Sequence, residues 1–137
     1  MNEYTPIVMD HFNNPRNVGI INNHDGMGEI GDPNCGDFLR VFIKVEDNII
    51  IAIRYQIRGC PASIACASVM TELAVGKDLD EAMMIDDMDI VKALGGLPEY
   101  KLHCSNLGAT GLKKAILNHL ARYMSSVKEQ QQADKPK

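Results

Sequence analysis

The sequence predicts an α+β domain in which helices pack on one face of a small antiparallel β-sheet. Two adjacent runs alternate with period 2, Leu39, Val41, Ile43, Val45 and then Ile49, Ile51, Ile53, Tyr55, Ile57. Segments of helical period come before the first run and after the second. A length of 137 residues with 45% hydrophobic content suits a single domain with a modest core.

Tyr4, Ile7, Val8, His11 and Phe12 recur at helical spacing, and Asn13-Asn14-Pro15 ends that pattern, so a short amphipathic helix opens the chain. From Arg16 to Asp37 the sequence is rich in Gly, Asn and Asp, which predicts loops with at most a short edge strand. Glu46-Asp47-Asn48 separates the two alternating runs and predicts an antiparallel hairpin. Pro61 suits a first helical position, and the small residues after it predict a helix packed closely on the sheet and ending near Gly76. Asp78 with Glu81 reads as a capping box for a short helix, and Asp86/Asp87 start another that ends at Gly95-Gly96. Leu112, Ala115, Ile116, His119, Leu120 and Tyr123 form a last amphipathic helix. Residues 1–126 are expected to be one domain, and the polar stretch 127–137 a disordered tail.

Composition excludes several functions. The net charge is −4 and the basic residues are scattered, so no nucleic-acid partner is expected. Trp is absent, leaving few platforms for base stacking. No apolar run approaches the roughly 20 residues that span a bilayer, and the polar start lacks a signal-peptide core. No membrane association and a cytoplasmic location are therefore expected.

In a reducing cytoplasm Cys35, Cys60, Cys66 and Cys104 read as metal-binding or catalytic before they read as disulfides. Cys35, Cys60 and Cys104 are widely separated and form no Cys-x-x-Cys knuckle, unlike a structural zinc finger. Each sits at a predicted element boundary, and boundaries at one end of a sheet can converge. At Cys60 and Cys104 the positive end of the following helix favours thiolate. Cys35-Gly36-Asp37 puts a carboxylate two residues from a thiol, on the same side if the segment is extended. His103 and Cys104 diverge in an extended segment and reach one metal only if the chain turns there. These five side chains are candidates for a tetrahedral ion or a small iron–sulfur cluster. Cys66, six residues along a helix from Cys60, faces elsewhere and reads as a small buried hydrophobe. His11, His24 and His119 read as ordinary helix or loop residues, and Met83, Met84 and Met88 as core filler.

Five segments in order, Tyr4–Gly19 (YTPIVMDHFNNPRNVG), Gly31–Asp37 (GDPNCGD), Gly59–Glu72 (GCPASIACASVMTE), Gly76–Ala82 (GKDLDEA) and Lys101–Ser105 (KLHCS), resemble the IscU/NifU N-terminal family of iron–sulfur cluster assembly scaffolds. The resemblance covers nearly the whole chain except the tail. It implies that Cys35, Cys60 and Cys104 hold a nascent [2Fe-2S] cluster, with Asp37 or His103 as fourth ligand. It also implies Cys104 as first acceptor of persulfide from a cysteine desulfurase, and Zn in the same pocket when no cluster is present. The implied partners are the desulfurase, an iron donor, ferredoxin, recipient apo iron–sulfur proteins and an Hsp70-type chaperone, with the chain a monomer or weak dimer. Leu97-Pro98-Glu99-Tyr100-Lys101 keeps only the Leu-Pro and Lys of the Leu-Pro-Pro-Val-Lys loop that this chaperone handles. The interval between Cys60 and Cys104 has no room for the long insertion of the SufU branch.

Scaffold and carrier, not an enzyme with turnover, is thus the leading expectation. A zinc-dependent, SufU-like sulfurtransferase and a zinc-stabilised interaction domain are the alternatives, and the dispersed ligands disfavour the last.

Overall fold

The computed structural model describes residues 3–31 and 36–133, with side-chain surroundings given as far as residue 130. Helix α1 (Pro6–Asn13) is followed by strands β1 (Gly26–Gly31), β2 (Phe38–Glu46) and β3 (Ile49–Arg58). Helices α2 (Pro61–Ala74), α3 (Leu79–Met83) and α4 (Asp87–Ala93), a single 3-10 turn (Glu99–Lys101) and α5 (His103–Ala133) complete the chain. The strands form one antiparallel sheet in the order β1-β2-β3, so β1 is the predicted short edge strand.

Asp47 and Asn48 close the β2–β3 hairpin with φ of 52° and 65°. That pair of positive angles is what a two-residue turn of type I′ requires, and Asn and Asp tolerate it best after Gly. The alternation expected along β3 fails near this turn. Lys44 pairs with Ala52 but Val45 pairs with Ile50, leaving Ile51 as an extra residue. Such a bulge reverses the parity of the strand. Ile50 is consequently buried while Ile49 and Ile51 are exposed, and the expected inward set resumes only at Ile53 and Tyr55. The far edge of β3 is covered: Gly19 N–H donates to the Tyr55 carbonyl at 2.9 Å and Tyr55 N–H to that of Asn17 at 3.2 Å. Gly76 N–H donates to the Ile50 carbonyl at 2.8 Å. Unpaired edge groups that would invite another strand are thereby satisfied.

Helices α2 and α5 lie against the sheet, with α5 crossing β1 and β2 and α2 packing on β3. Leu39, Val41, Ile43, Ile53 and Tyr55 meet Ala65, Cys66, Met70, Leu112 and Ile116 in the core. Helix α2 is apolar nearly all round, as suits an element covered by the sheet, α1, α4 and α5. Asp78 caps α3 by accepting from Glu81 N–H and α4 starts after Asp86, as the sequence predicts, but the complete capping box forms on α4, between Asp86 and Asp89, and not at Asp78 and Glu81.

Three expectations are corrected. Met84 and Met88 are 78% and 60% exposed and fill no core, because α3 and α4 are too short to turn every residue inward. Helix α5 begins at His103, so Cys104 lies inside its first turn and not before it. Helix α5 also continues to Ala133, so residues 127–133 are helical although a disordered tail was expected from residue 127. Extending an existing helix through Lys, Glu, Gln and Ala needs no new nucleation. Among the described residues no helix is long and apolar enough to cross a membrane.

His11 is buried where α1 meets α2. Its Nδ1 lies 2.7 Å from Ser68 Oγ and its Nε2 3.3 Å from Glu72 Oε1. Arg16 N–H donates to the same Ser68 oxygen at 2.9 Å. This set is satisfied by a neutral ring that accepts from Ser68 at Nδ1 and donates to Glu72 from Nε2. Burial, and then the Arg16 charge, hold the His11 pKa below its ordinary value against the pull of Glu72 and Asp10. A base with a depressed folded pKa makes the unfolded chain bind more protons, so stability should fall as pH drops below about 6.5. Urea melts at successive pH values between 7.5 and 5 should show that loss, and His11→Gln should flatten it. An unchanged slope in the variant would assign the loss to other groups.

Candidate functional site

Cys60 is the N-cap of α2, in extended backbone before Pro61, and Cys104 sits in the first turn of α5. The two sulfurs, from residues 44 apart in sequence, approach to 3.7 Å. Both thiols are free, and the separation is far beyond the roughly 2.05 Å of a disulfide. Because the chain turns into a helix at His103, His103 Nε2 also lies 3.7 Å from Cys104 Sγ. The two consecutive side chains expected to diverge are thus brought together.

Asp37 enters from the start of β2. A Cβ placed on Gly59 would stand 3.4 Å from Asp37 Oδ1 and 2.9 Å from Ser63 Cβ. Glycine at 59 therefore lets the carboxylate and the first turn of α2 close around the thiols. Cys35 lies outside the described residues. Among those described, no three His, Cys, Asp or Glu side chains already stand in a metal-holding arrangement. Cys60, Cys104, His103 and Asp37 converge on one region and must draw together to share a ligand. Cys66 is fully buried, and burial pushes its thiol far up, as suits the predicted core role.

The helix ends do not act equally on the two site thiols. Burial raises Cys60, but hydrogen bonds from the Ser63 hydroxyl and backbone, the Cys104 thiol and the Ala62 backbone outweigh it. Cys60 is held below the ordinary thiol range as a result. Cys104, only 2% exposed, is held above that range by burial and by giving its hydrogen bond to Cys60. The Lys101 ammonium is held above its ordinary pKa first by the Cys60 charge and then by Tyr4, with a smaller part from Cys104. The expectation that both thiols are favoured as thiolate is corrected: this conformation favours it at Cys60. Brief iodoacetamide treatment of the metal-free chain near pH 7.5, read by mass spectrometry, should modify Cys60 well before Cys104 and leave Cys66 last. Ser63→Ala should narrow the gap, and faster Cys104 labelling in the parent chain would contradict this ordering.

A sequence profile described as the NifU-like N terminal domain matches residues 3–126. The chain belongs to this family. The iron-sulfur cluster assembly scaffold protein IscU 1 of Archaeoglobus fulgidus is 49% identical over 119 residues, covering 87% of this chain and 78% of the relative. The scaffold protein IscU of Escherichia coli is 43% identical over 123 residues, covering 87% of this chain and 95% of the relative. A NifU-like protein from Brucella abortus, solved as its N-terminal part, superposes with a TM-score of 0.69 at 17% identity, over 88% of this chain and 96% of that one. At that identity the likeness speaks for the fold alone, and it agrees with the α+β reading.

Two residues of this NifU-like domain escaped the sequence reading. Ser63 is buried, with Oγ 3.4 Å from Cys60 Sγ. Its place three residues after an N-cap thiol was the available signal, since a first-turn side chain faces back to the cap. Lys101 was visible only as part of a motif, and its approach to Cys60 follows from the 3-10 turn that precedes α5.

Proposed function

We propose that this chain is a scaffold on which an iron–sulfur cluster is assembled from delivered sulfur and iron and then passed to recipient proteins. The observation that supports it most is the meeting of two free thiols from distant elements at 3.7 Å, flanked by an imidazole and a cation. A dispersed, partly formed ligand set suits a cargo that enters and leaves better than a metal that holds the fold.

In this reading Cys35, Cys60 and Cys104 hold the cluster, with Asp37 or His103 as the fourth ligand. Sulfur arrives as a persulfide on a cysteine desulfurase. The Cys104 thiolate attacks the terminal sulfur, the donor S–S bond breaks, and the desulfurase cysteine leaves as thiolate. Because Cys104 is buried and its thiol is held above the ordinary range, that step requires the first turn of α5 to open, with Cys60 accepting the Cys104 proton and the Lys101 ammonium stabilising the developing thiolate charge. Electrons from ferredoxin or a comparable reductant then convert the bound sulfur to sulfide as iron is delivered. Zn occupying the same donors would hold the site closed between cycles. Asp37 supplies a hard oxygen among soft sulfurs and should ease release. Asp37→Ala is accordingly expected to lengthen cluster lifetime and slow transfer, followed by the decay of visible absorption, and an unchanged lifetime would remove Asp37 from this role.

The decisive experiment is anaerobic reconstitution with iron, cysteine and a cysteine desulfurase, read by absorption and Mössbauer spectroscopy, then incubation with an apo-ferredoxin. A [2Fe-2S] cluster that moves to the acceptor is expected. Persulfide on Cys104 with tightly held Zn and no cluster would favour sulfur transfer instead.

A further inference from the structure

The whole net charge of this chain resides in one segment. Residues 78–89 hold Asp78, Asp80, Glu81, Asp86, Asp87 and Asp89 with no basic residue, flanked by Lys77 and Lys92. Outside 77–92 acidic and basic residues are equal in number. Among the described residues none of these six carboxylates is in an ion pair.

That segment borders an open groove of about 570 Å³, lined by the apolar Leu73, Met84, Ile85 and Ala93 and by the charged Lys77, Glu81, Asp89 and Lys92. Met84 is 78% exposed, and Met88 and Val75, next to lining elements, are exposed as well. Large apolar side chains left in water beside a concave surface mark an interaction site more often than chance placement does. Methionine is also the side chain that adapts most readily to an incoming apolar surface.

We infer that this groove between the end of α2 and helices α3 and α4 docks a basic amphipathic helix of a partner protein. A cleft between helices accepts the apolar face of another helix, and the surrounding carboxylates attract and orient its basic flank. The same charge argues against the other occupants. Although the rim itself carries Lys77 and Lys92 beside Glu81 and Asp89, the 77–92 segment around it is net negative, so a second copy would bring the same net-negative segment, and lipid headgroups and nucleic acid are themselves anionic. Leu73 stands about 20 Å along α2 from Cys60 at a rise of about 1.5 Å per residue, so a helix seated here leaves the thiols uncovered. The inference rests on charge and shape alone and does not depend on the sulfur chemistry.

The test uses the full chain and a labelled amphipathic peptide of Leu and Lys, with its Leu/Glu counterpart as control. Binding is followed by anisotropy and located by amide chemical shifts. Saturable binding of the Leu/Lys peptide is expected, with the largest shifts in residues 73–93 and weakening by added salt. Met84→Ser, and separately Glu81→Lys with Asp87→Lys, should each weaken binding by about tenfold. Met84 is exposed, so Met84→Ser should keep the parent melting temperature, whereas the two charge reversals fall in the first turns of α3 and α4 and should lower it slightly, so melting is measured alongside. Absence of saturable binding, shifts spread over acidic residues elsewhere, equal binding of the Leu/Glu peptide, or unchanged affinity in both variants would each overturn the inference.

Discussion

Replacing Cys60 or Cys104 by Ser is expected to reduce cluster retained after desalting to background, whereas Cys66→Ser should retain it. Cysteine binds iron as thiolate, and a serine hydroxyl ionises far less readily and offers a harder donor. The two site sulfurs lie 3.7 Å apart, so losing either removes one side of the only close thiol pair among the described residues. Cys66 belongs to a different environment, fully buried in the core. A hydroxyl there loses burial energy and requires a partner, at a cost of about 1–3 kcal/mol in stability. The variants are therefore told apart by cargo and stability read together. Cys60→Ser should fold normally and lose cargo, Cys104→Ser should lose cargo and also some stability because that thiol is buried as well, and Cys66→Ser should melt earlier and keep its cargo. The measurement is iron and sulfide content per chain beside the melting temperature. Full retention in Cys60→Ser would remove this thiol from the ligand set, and loss in Cys66→Ser at unchanged stability would bring that residue into it.

Much of this could be read from the sequence because the deciding signals are local. Period 2 in residues 39–45, the Asp47-Asn48 turn, Pro61 after Cys60 and the Asp86 cap each fix an element through neighbours a few residues away. What escaped depends on contacts the sequence does not display. The bulge at Ile51 answers to the pairing of Val45 with Ile50, and no property of Ile49, Ile50 or Ile51 alone says which is turned inward. At the site, the six-residue spacing set Cys66 apart from Cys60, because a helical angle settles that question for two residues at the start of one helix. The unequal ionisation of Cys60 and Cys104 was hidden, since it arises from Ser63, Lys101 and the depth of each sulfur. Exposure of Met84 likewise reflects how short helices lie against α2, which periodicity over five residues cannot decide.

The second large effect is expected at Gly28, far from any thiol. Strand β1 packs directly on α5, and glycine at alternate positions makes that possible. A Cβ on Gly28 would stand 2.5 Å from the Ala115 nitrogen and 2.7 Å from the Gly111 carbonyl oxygen. Both neighbours are helix backbone, so no rotamer change relieves the overlap. Gly111 is bound in the same way from the other side, where a Cβ would meet Leu39 Cδ2 at 2.8 Å. Gly28→Ala must therefore push α5 away from the sheet and open the layer that Leu112, Ala115 and Ile116 fill. Overpacking of this kind typically costs about 1–3 kcal/mol, and backbone on both sides places this case at or above the upper end. Against a total stability of roughly 5–15 kcal/mol that is a large share. Gly76→Ala provides the contrast: a Cβ there meets nothing within 4 Å, and only its φ of 86° opposes alanine, at about 1–2 kcal/mol. Because α5 also carries Cys104, its displacement should loosen the approach of that sulfur to Cys60 and lower cluster yield together with stability. Urea denaturation of both variants decides the matter: a Gly28→Ala loss no larger than that of Gly76→Ala would mean that β1 and α5 yield, and that their close contact does not set the position of the site.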